Sequence, residues 1–331
     1  MGRRRVSAVV AAVALLVGAA CSDDDSGDAS STTRARSATT ATTAAGGLVQ
    51  VELEGRPSAV ALAEGRLWVA SDAETTGGRG TVAVHDPRTG ELVASTPLGA
   101  PPVAFAPVED GVWAVGASGL LTKLGSDGAA IARTAQVSLG NGLVDALVAA
   151  GRLWVADVQH GVVNVLDPEN GEVVADPIPI AAGAVRLASD GGRVWVSGRE
   201  DQVTPIDTAT LVARQPVRVG LAPIGMAVVQ DVLWVTNSED DTVARVSLES
   251  GQPVGEPLAV GDAPIAVAAD GDDVWVLAQD GATLHRLDAA TGEPIGAPVE
   301  LPMRPRGMAI ADGGVWVVGV DPSLAVLVPS Q

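Results

Sequence analysis

The chain of 331 residues has no tyrosine, a single phenylalanine, a single cysteine and three histidines. With Phe105 its only phenylalanine, it lacks a broad supply of rings for stacking on nucleobases, and seven tryptophans make up nearly all of its aromatic content. One cysteine, Cys21, excludes an internal disulfide. Positive charge is also scarce: 21 Lys and Arg against 40 Asp and Glu leave a formal charge of -19. That balance argues against a charge-driven partnership with nucleic acid or an anionic lipid surface. Apolar residues are not lacking. At 47% they can fill a large core, so wholesale disorder is excluded.

Residues 1–20 of "MGRRRVSAVVAAVALLVGAAC" combine a basic start with an apolar run. The run falls short of the roughly 20 residues a spanning helix needs, and reads as an export signal. Its end, "LVGAAC", resembles a bacterial lipobox, with Gly18 where leucine is usual and Val17 one residue early. The resemblance implies cleavage before Cys21 and its lipidation, with membrane contact only through that anchor on the extracytoplasmic face. Cleavage as an ordinary signal after Ala20 would instead release a secreted protein. Residues 21–46, rich in Ser, Thr, Ala and Asp, bury too little apolar surface to offset their ordering entropy and read as a tether.

Every tryptophan stands in one sequence context, as in "GRLWVAS", "RVWVSG" and "VLWVTN". Trp68, Trp113, Trp154, Trp195, Trp234, Trp275 and Trp316 are separated by 45, 41, 41, 39, 41 and 41 residues. A period near forty with strand-like content is the signature of a propeller blade. Around Trp234 four strands can be read: "IGMAVV", "VLWVTN", "TVARVSL" and "GEPLAV". Hairpins such as "DPRTGE" at Asp86 and "DPENGE" at Asp167 join the third strand to the fourth. In them Asp caps the turn, Pro fits its first corner and Gly supplies the left-handed residue. The expected fold is all-β, a seven-bladed propeller of four-stranded antiparallel blades over residues 47–331. The last unit shows three strands, and Leu48–Leu53 is expected to supply its fourth and close the ring. The tryptophans are expected to be structural wedges between blades.

"VLWVTNSEDDTVARVSLESGQPVGEPLAVGDAPIAVAADGDDVWV", from Val232, resembles the YVTN family of β-propeller repeats, with Trp234 in place of the motif's tyrosine. The resemblance extends with lower fidelity over residues 48–331. It implies an exported or surface propeller and specifies no chemistry. Streptogramin-type lyases have similar repeats that read Trp-Phe-Thr-Glu, with a catalytic histidine, glutamates and magnesium. Here Ser71, Gly116, Asp157, Gly198, Asn237, Ala278 and Gly319 stand three residues after the tryptophans, and none is glutamate. Quinoprotein dehydrogenases share an Asp-x-x-Thr-Gly hairpin like Asp86–Gly90, but "GELVAST" lacks the tryptophan that follows it there.

No phosphate loop, nucleophile elbow or paired-carboxylate motif is present. His85 and His285 fall on third strands and His160 in a loop, at different repeat positions, which argues against a shared metal site. The loops leaving second strands and those entering first strands share one face, and there the candidate ligand-binding residues are Asp157, His160, Arg199, Asp201, Asn237, Asp240, Asp280, Arg304 and Arg306. A rim of mixed charge suits a polar small molecule, a glycan or a partner protein. The expected function is a recognition or scaffold module with no catalytic residue and no cofactor. The alternative is a metal-dependent lyase or lactonase with a divalent cation in the central channel.

Overall fold

The computed structural model describes residues 12–13, 42–43, 48–72, 80–126, 131–181, 183–311 and 314–329. Cys21, most of the leader and tether, and most of the long "SDAETTGGRGT" loop of the first blade lie outside the described residues.

Seven antiparallel sheets form a seven-bladed β-propeller. In each blade the strand before the tryptophan strand is innermost, and these inner strands contact one another around the ring. Blade one comprises Arg56–Ala63, Arg66–Asp72, Gly80–His85 and Leu92–Leu98. Blades two to six begin at Pro102, Leu143, Arg186, Pro223 and Pro264, and blade seven begins at Arg304. In blades three to six the outermost strand is only two residues long, for example Leu258–Ala259 in blade five. Short outer strands limit the edge left open to pairing.

Ring closure is the expected one. Val49–Glu52 pairs antiparallel with Leu324–Leu327 as the fourth strand of blade seven. The last sheet is wider than four strands, because Thr42–Thr43 pairs outside Val49–Gln50 and Ala12–Val13 pairs with Gly307–Met308 on the inner edge. Two residues of the segment expected to be a leader therefore lie against the innermost strand of this blade.

Each seam between blades holds one indole. Trp316 packs with Val60, Leu67 and Val69 of blade one, and Trp68 with Phe105 and Val112 of blade two. The pattern continues around the ring, ending with Trp275 against Met308 and Val315 of blade seven. Six of the seven are among the largest fully buried side chains, and Trp275 is 3% exposed. An indole buries roughly 150–250 Å², so one ring per seam at a fixed strand position accounts for the aromatic usage.

The hairpins lock the same seams. Trp113 Nε1 donates to Pro168 O and Trp316 Nε1 to Pro87 O, each at 2.7 Å and each in the hairpin of the next blade. Elsewhere an arginine lies over the indole, with Arg193, Arg245 and Arg286 at 5.1, 5.6 and 5.4 Å from the rings of Trp195, Trp234 and Trp275. Arg193 and Arg245 then reach the next hairpin through Leu248 O at 2.7 Å and Thr291 O at 3.0 Å. Gly90 shows why the hairpin glycine is needed. Its φ is +73°, and an added Cβ would lie 2.3 Å from Val51 Cγ2 and 3.0 Å from Trp316 Cη2.

Candidate functional site

The loops that leave second strands and those that enter first strands meet on one face, because both join strand ends of the same polarity. Four of their carboxylates, those of Asp72, Asp157, Asp240 and Asp241, accept hydrogen bonds from the protein's own backbone. Asp72 Oδ1 accepts from Arg56 N at 3.1 Å, Asp240 Oδ2 from Leu221 N at 2.6 Å, and Asp241 Oδ1 from Ala263 N at 2.8 Å. Each ties a second-strand loop to an entering loop, so backbone amides that would otherwise need water are satisfied.

Two of the expected rim residues sit inside. Asp157 is 3% exposed, and its Oδ1 accepts from Gln159 N and His160 N at 3.0 and 2.9 Å. Asn237 is 0% exposed and donates through Nδ2 to Val219 O and to Thr242 Oγ1. Its neighbour Thr236 accepts from Gly225 N at 2.7 Å, tying the second strand to the innermost one. Both Asp157 and Asn237 thus act on the loop rather than at its surface.

The remaining expected residues are at the surface or partly covered. His160 Nδ1 sits 2.7 Å from Asp157 Oδ2, with 59% of its side chain exposed. Arg304 Nη2 donates to Asp280 Oδ1 at 2.7 Å and Gln279 Oε1 at 3.1 Å, joining blades six and seven. Asp201 faces Arg218 at 3.5 Å, Arg199 is exposed, and Arg306 is half-buried. The structure brings together Asp157 with His160 and Asp280 with Arg304, sets Arg306 beside Arg304, and leaves Arg199, Asp201, Asn237 and Asp240 on blades four and five. Among the described residues no group of three His, Cys, Asp or Glu side chains is placed to hold a metal ion. His85 and His285 serve their own blades: His85 Nδ1 pairs with Gly90 O at 3.0 Å, and His285 Nε2 accepts from Gly261 N at 3.1 Å.

A charged pair lies inside the ring. Asp145 and Arg186, both 4% exposed, stitch the inner strands of blades three and four. Asp145 Oδ2 accepts from Leu187 N at 2.8 Å, and Arg186 Nη1 donates to Val144 O at 3.2 Å. The signal was present in the repeat: nine residues before each tryptophan stand Ala59, Ala104, Asp145, Arg186, Gly225, Ala266 and Gly307. Only two adjacent blades place charge at a position otherwise kept small.

Burial pushes the Asp145 carboxyl up to about 6, against the pull of the Arg186 guanidinium and the N–H groups of Leu187 and Ala146. A raised carboxyl pKa means that the folded state holds the proton longer than the unfolded chain does. Stability from this group is therefore complete below the unfolded value near 3.8 and is lost as pH rises through about 6. Urea melts should show the native protein losing up to about 3 kcal/mol relative to Asp145→Asn between pH 4 and 6.5, with no further change above it. A constant difference across that range would refute the titration.

With this geometry in hand, the likeness to known proteins is one of fold. No protein-family model and no curated protein matches the chain. Among solved structures, the WD40 domain of Pan2 from Neurospora crassa is similar at 14% identity and TM-score 0.68, over 84% of this chain and 90% of that one. A catalytically inactive virginiamycin B lyase from Staphylococcus aureus, solved with quinupristin, is similar at 14% identity and TM-score 0.68, over 85% and 99%. BamB from Moraxella catarrhalis is similar at 14% identity and TM-score 0.55, over 86% and 99%. The chain is a β-propeller. At these identities the likeness establishes nothing narrower.

Proposed function

We propose that this propeller is a lipid-anchored, extracytoplasmic recognition module of the YVTN-repeat type, whose loop-bearing face binds a polar small molecule, a glycan or a partner protein. The observation that carries the reading is the way this face is built. Four of its carboxylates clamp loops to one another, which favours a preorganised rim that presents His160 and Arg199 for binding. The YVTN assignment is supported by the roles of Thr236 and Asn237, which tie the second strand to the innermost strand and to the entering loop. Anchoring rests on the "LVGAAC" sequence.

A metal-dependent lyase is the second reading, favoured by the Asp157–His160 contact and the fold likeness to virginiamycin B lyase. Thermal-shift titration of the intact chain with sugars and with magnesium separates the two. Recognition predicts a sugar-dependent shift lost in the His160→Ala, Arg199→Ala double variant; a magnesium shift worth more than about 2 kcal/mol would favour the enzyme. Anchoring has its own test. Expressed in bacteria with labelled palmitate, the chain should carry label and sediment with membranes, and Cys21→Ser should lose both. A Cys21→Ser chain that still sediments, or an unlabelled wild type, would remove the anchor.

A further inference from the structure

The repeat shows where the ring departs from its own rule. Ten residues before each tryptophan stand Ser58, Val103, Val144, Val185, Ile224, Ile265 and Arg306. In blade seven a bulge between Pro305 and Gly307 extrudes this residue from the pairing, and equivalent bulges recur in blades one, two, three, five and six. The extruded side chain faces the next blade. Ser58 Oγ donates to Pro102 O at 2.6 Å, and Val144 and Ile265 join the clusters shared with blades four and seven. Small or apolar side chains suit that seam, whereas a guanidinium pays desolvation there.

Arg306 is the exception, at the seam of blades seven and one. Its Nε is buried without a hydrogen-bond partner among the described residues. Burial, then the adjacent Arg304 and Arg56, work against its charge, while Asp72 and Asp321 favour it. Those neighbours are engaged elsewhere: Arg304 with Asp280 at 2.7 Å, Arg56 with Asp321 at 3.7 Å, and Asp72 Oδ1 with Arg56 N at 3.1 Å. Three arginines gather in a protein of net charge -19, around a donor left without an acceptor.

We propose that Arg306, flanked by Arg56 and Arg304, is an oxyanion-binding site that takes a carboxylate or phosphate group of a ligand on the loop face. The planar fork of a guanidinium matches either group through paired hydrogen bonds, and Arg304 and Arg56, each beside a carboxylate, add positive charge at its flanks. A bound oxyanion on the accessible part of this half-buried guanidinium screens the three like charges from one another. The proposal rests on the recognition reading only in taking the same face as the binding face, and it names the chemistry that the reading leaves open.

Calorimetric titration of the intact chain with inorganic phosphate and with citrate, against chloride at equal ionic strength, tests it. At least one oxyanion should bind saturably, and the preferred one tells a phosphate from a carboxylate ligand. Arg306→Leu, which restores the repeat's residue type, should weaken binding tenfold or more without lowering the melting temperature. Arg306→Lys should fall between, keeping charge but losing the fork. Absence of oxyanion binding by the wild type, or unchanged binding by Arg306→Leu, would overturn the site. A sugar that still binds Arg306→Leu but not the His160→Ala, Arg199→Ala chain would keep the recognition reading when the oxyanion site has failed. Phosphate binding lost only in Arg306→Leu, with no sugar or protein ligand found, would keep the site and remove the broader reading.

Discussion

Deleting residues 47–54 should lower the melting temperature by roughly 10 °C or more. Every other seam joins blades that are neighbours in the chain, but this one depends on a strand drawn from the far end of the sequence. Val49–Glu52 covers the edge of Leu324–Leu327, and Leu53 N donates to Ser323 O at 3.1 Å. Val51, 1% exposed, packs in the same cluster as Trp316, Val60 and Ala309. Its loss would uncover Trp316, empty the space against Gly90 and leave an open edge. Removing buried Val51, the partly buried Leu48, Val49 and Leu53 and the strand that carries them costs on the order of 4 kcal/mol, and in a domain this large each kcal/mol shifts the melt by about 2–4 °C. Calorimetry on the deletion variant reads the effect directly, and an unaltered melt would show that the ring closes some other way.

Trp316→Ala should cost about 3–5 kcal/mol, the usual range for truncating a buried aromatic. A paired comparison separates wedge from hydrogen bond. Trp316 Nε1 bonds to Pro87 O, whereas Trp68 Nε1 is buried without a partner among the described residues. Phenylalanine at position 316 therefore leaves a carbonyl unsatisfied, and phenylalanine at position 68 removes an unsatisfied donor. Trp316→Phe should be the costlier by about 1–2 kcal/mol in denaturant melts. Equal costs would mean that the clasp to the next hairpin contributes nothing.

The features that repeat were legible in the sequence. Tryptophan spacing, the Asp-to-Gly hairpins and the closing strand each follow from local patterns copied along the chain, and the structure places all three as expected. The loop face was harder to read. A polar residue in a loop can face solvent or its own backbone, and the sequence does not distinguish them; Asp157 and Asn237 face inward. The Asp145–Arg186 stitch escaped for another reason: its partners lie in different blades, 41 residues apart, and show themselves only when repeats are compared position by position. Arg306 illustrates both difficulties. It belonged to the expected rim, yet its departure from the repeat emerges only once the bulges are aligned.

Seven indoles sealed in seven dry seams is the claim on which the account stands, and solute quenching of the intrinsic fluorescence tests it most directly. With no tyrosine present, the emission is that of tryptophan alone. The native protein should emit from an apolar environment and resist acrylamide, with all seven rings becoming accessible together on unfolding. A native fraction that quenches readily would place some of those rings on a surface or in a cavity, and the wedge account would be wrong.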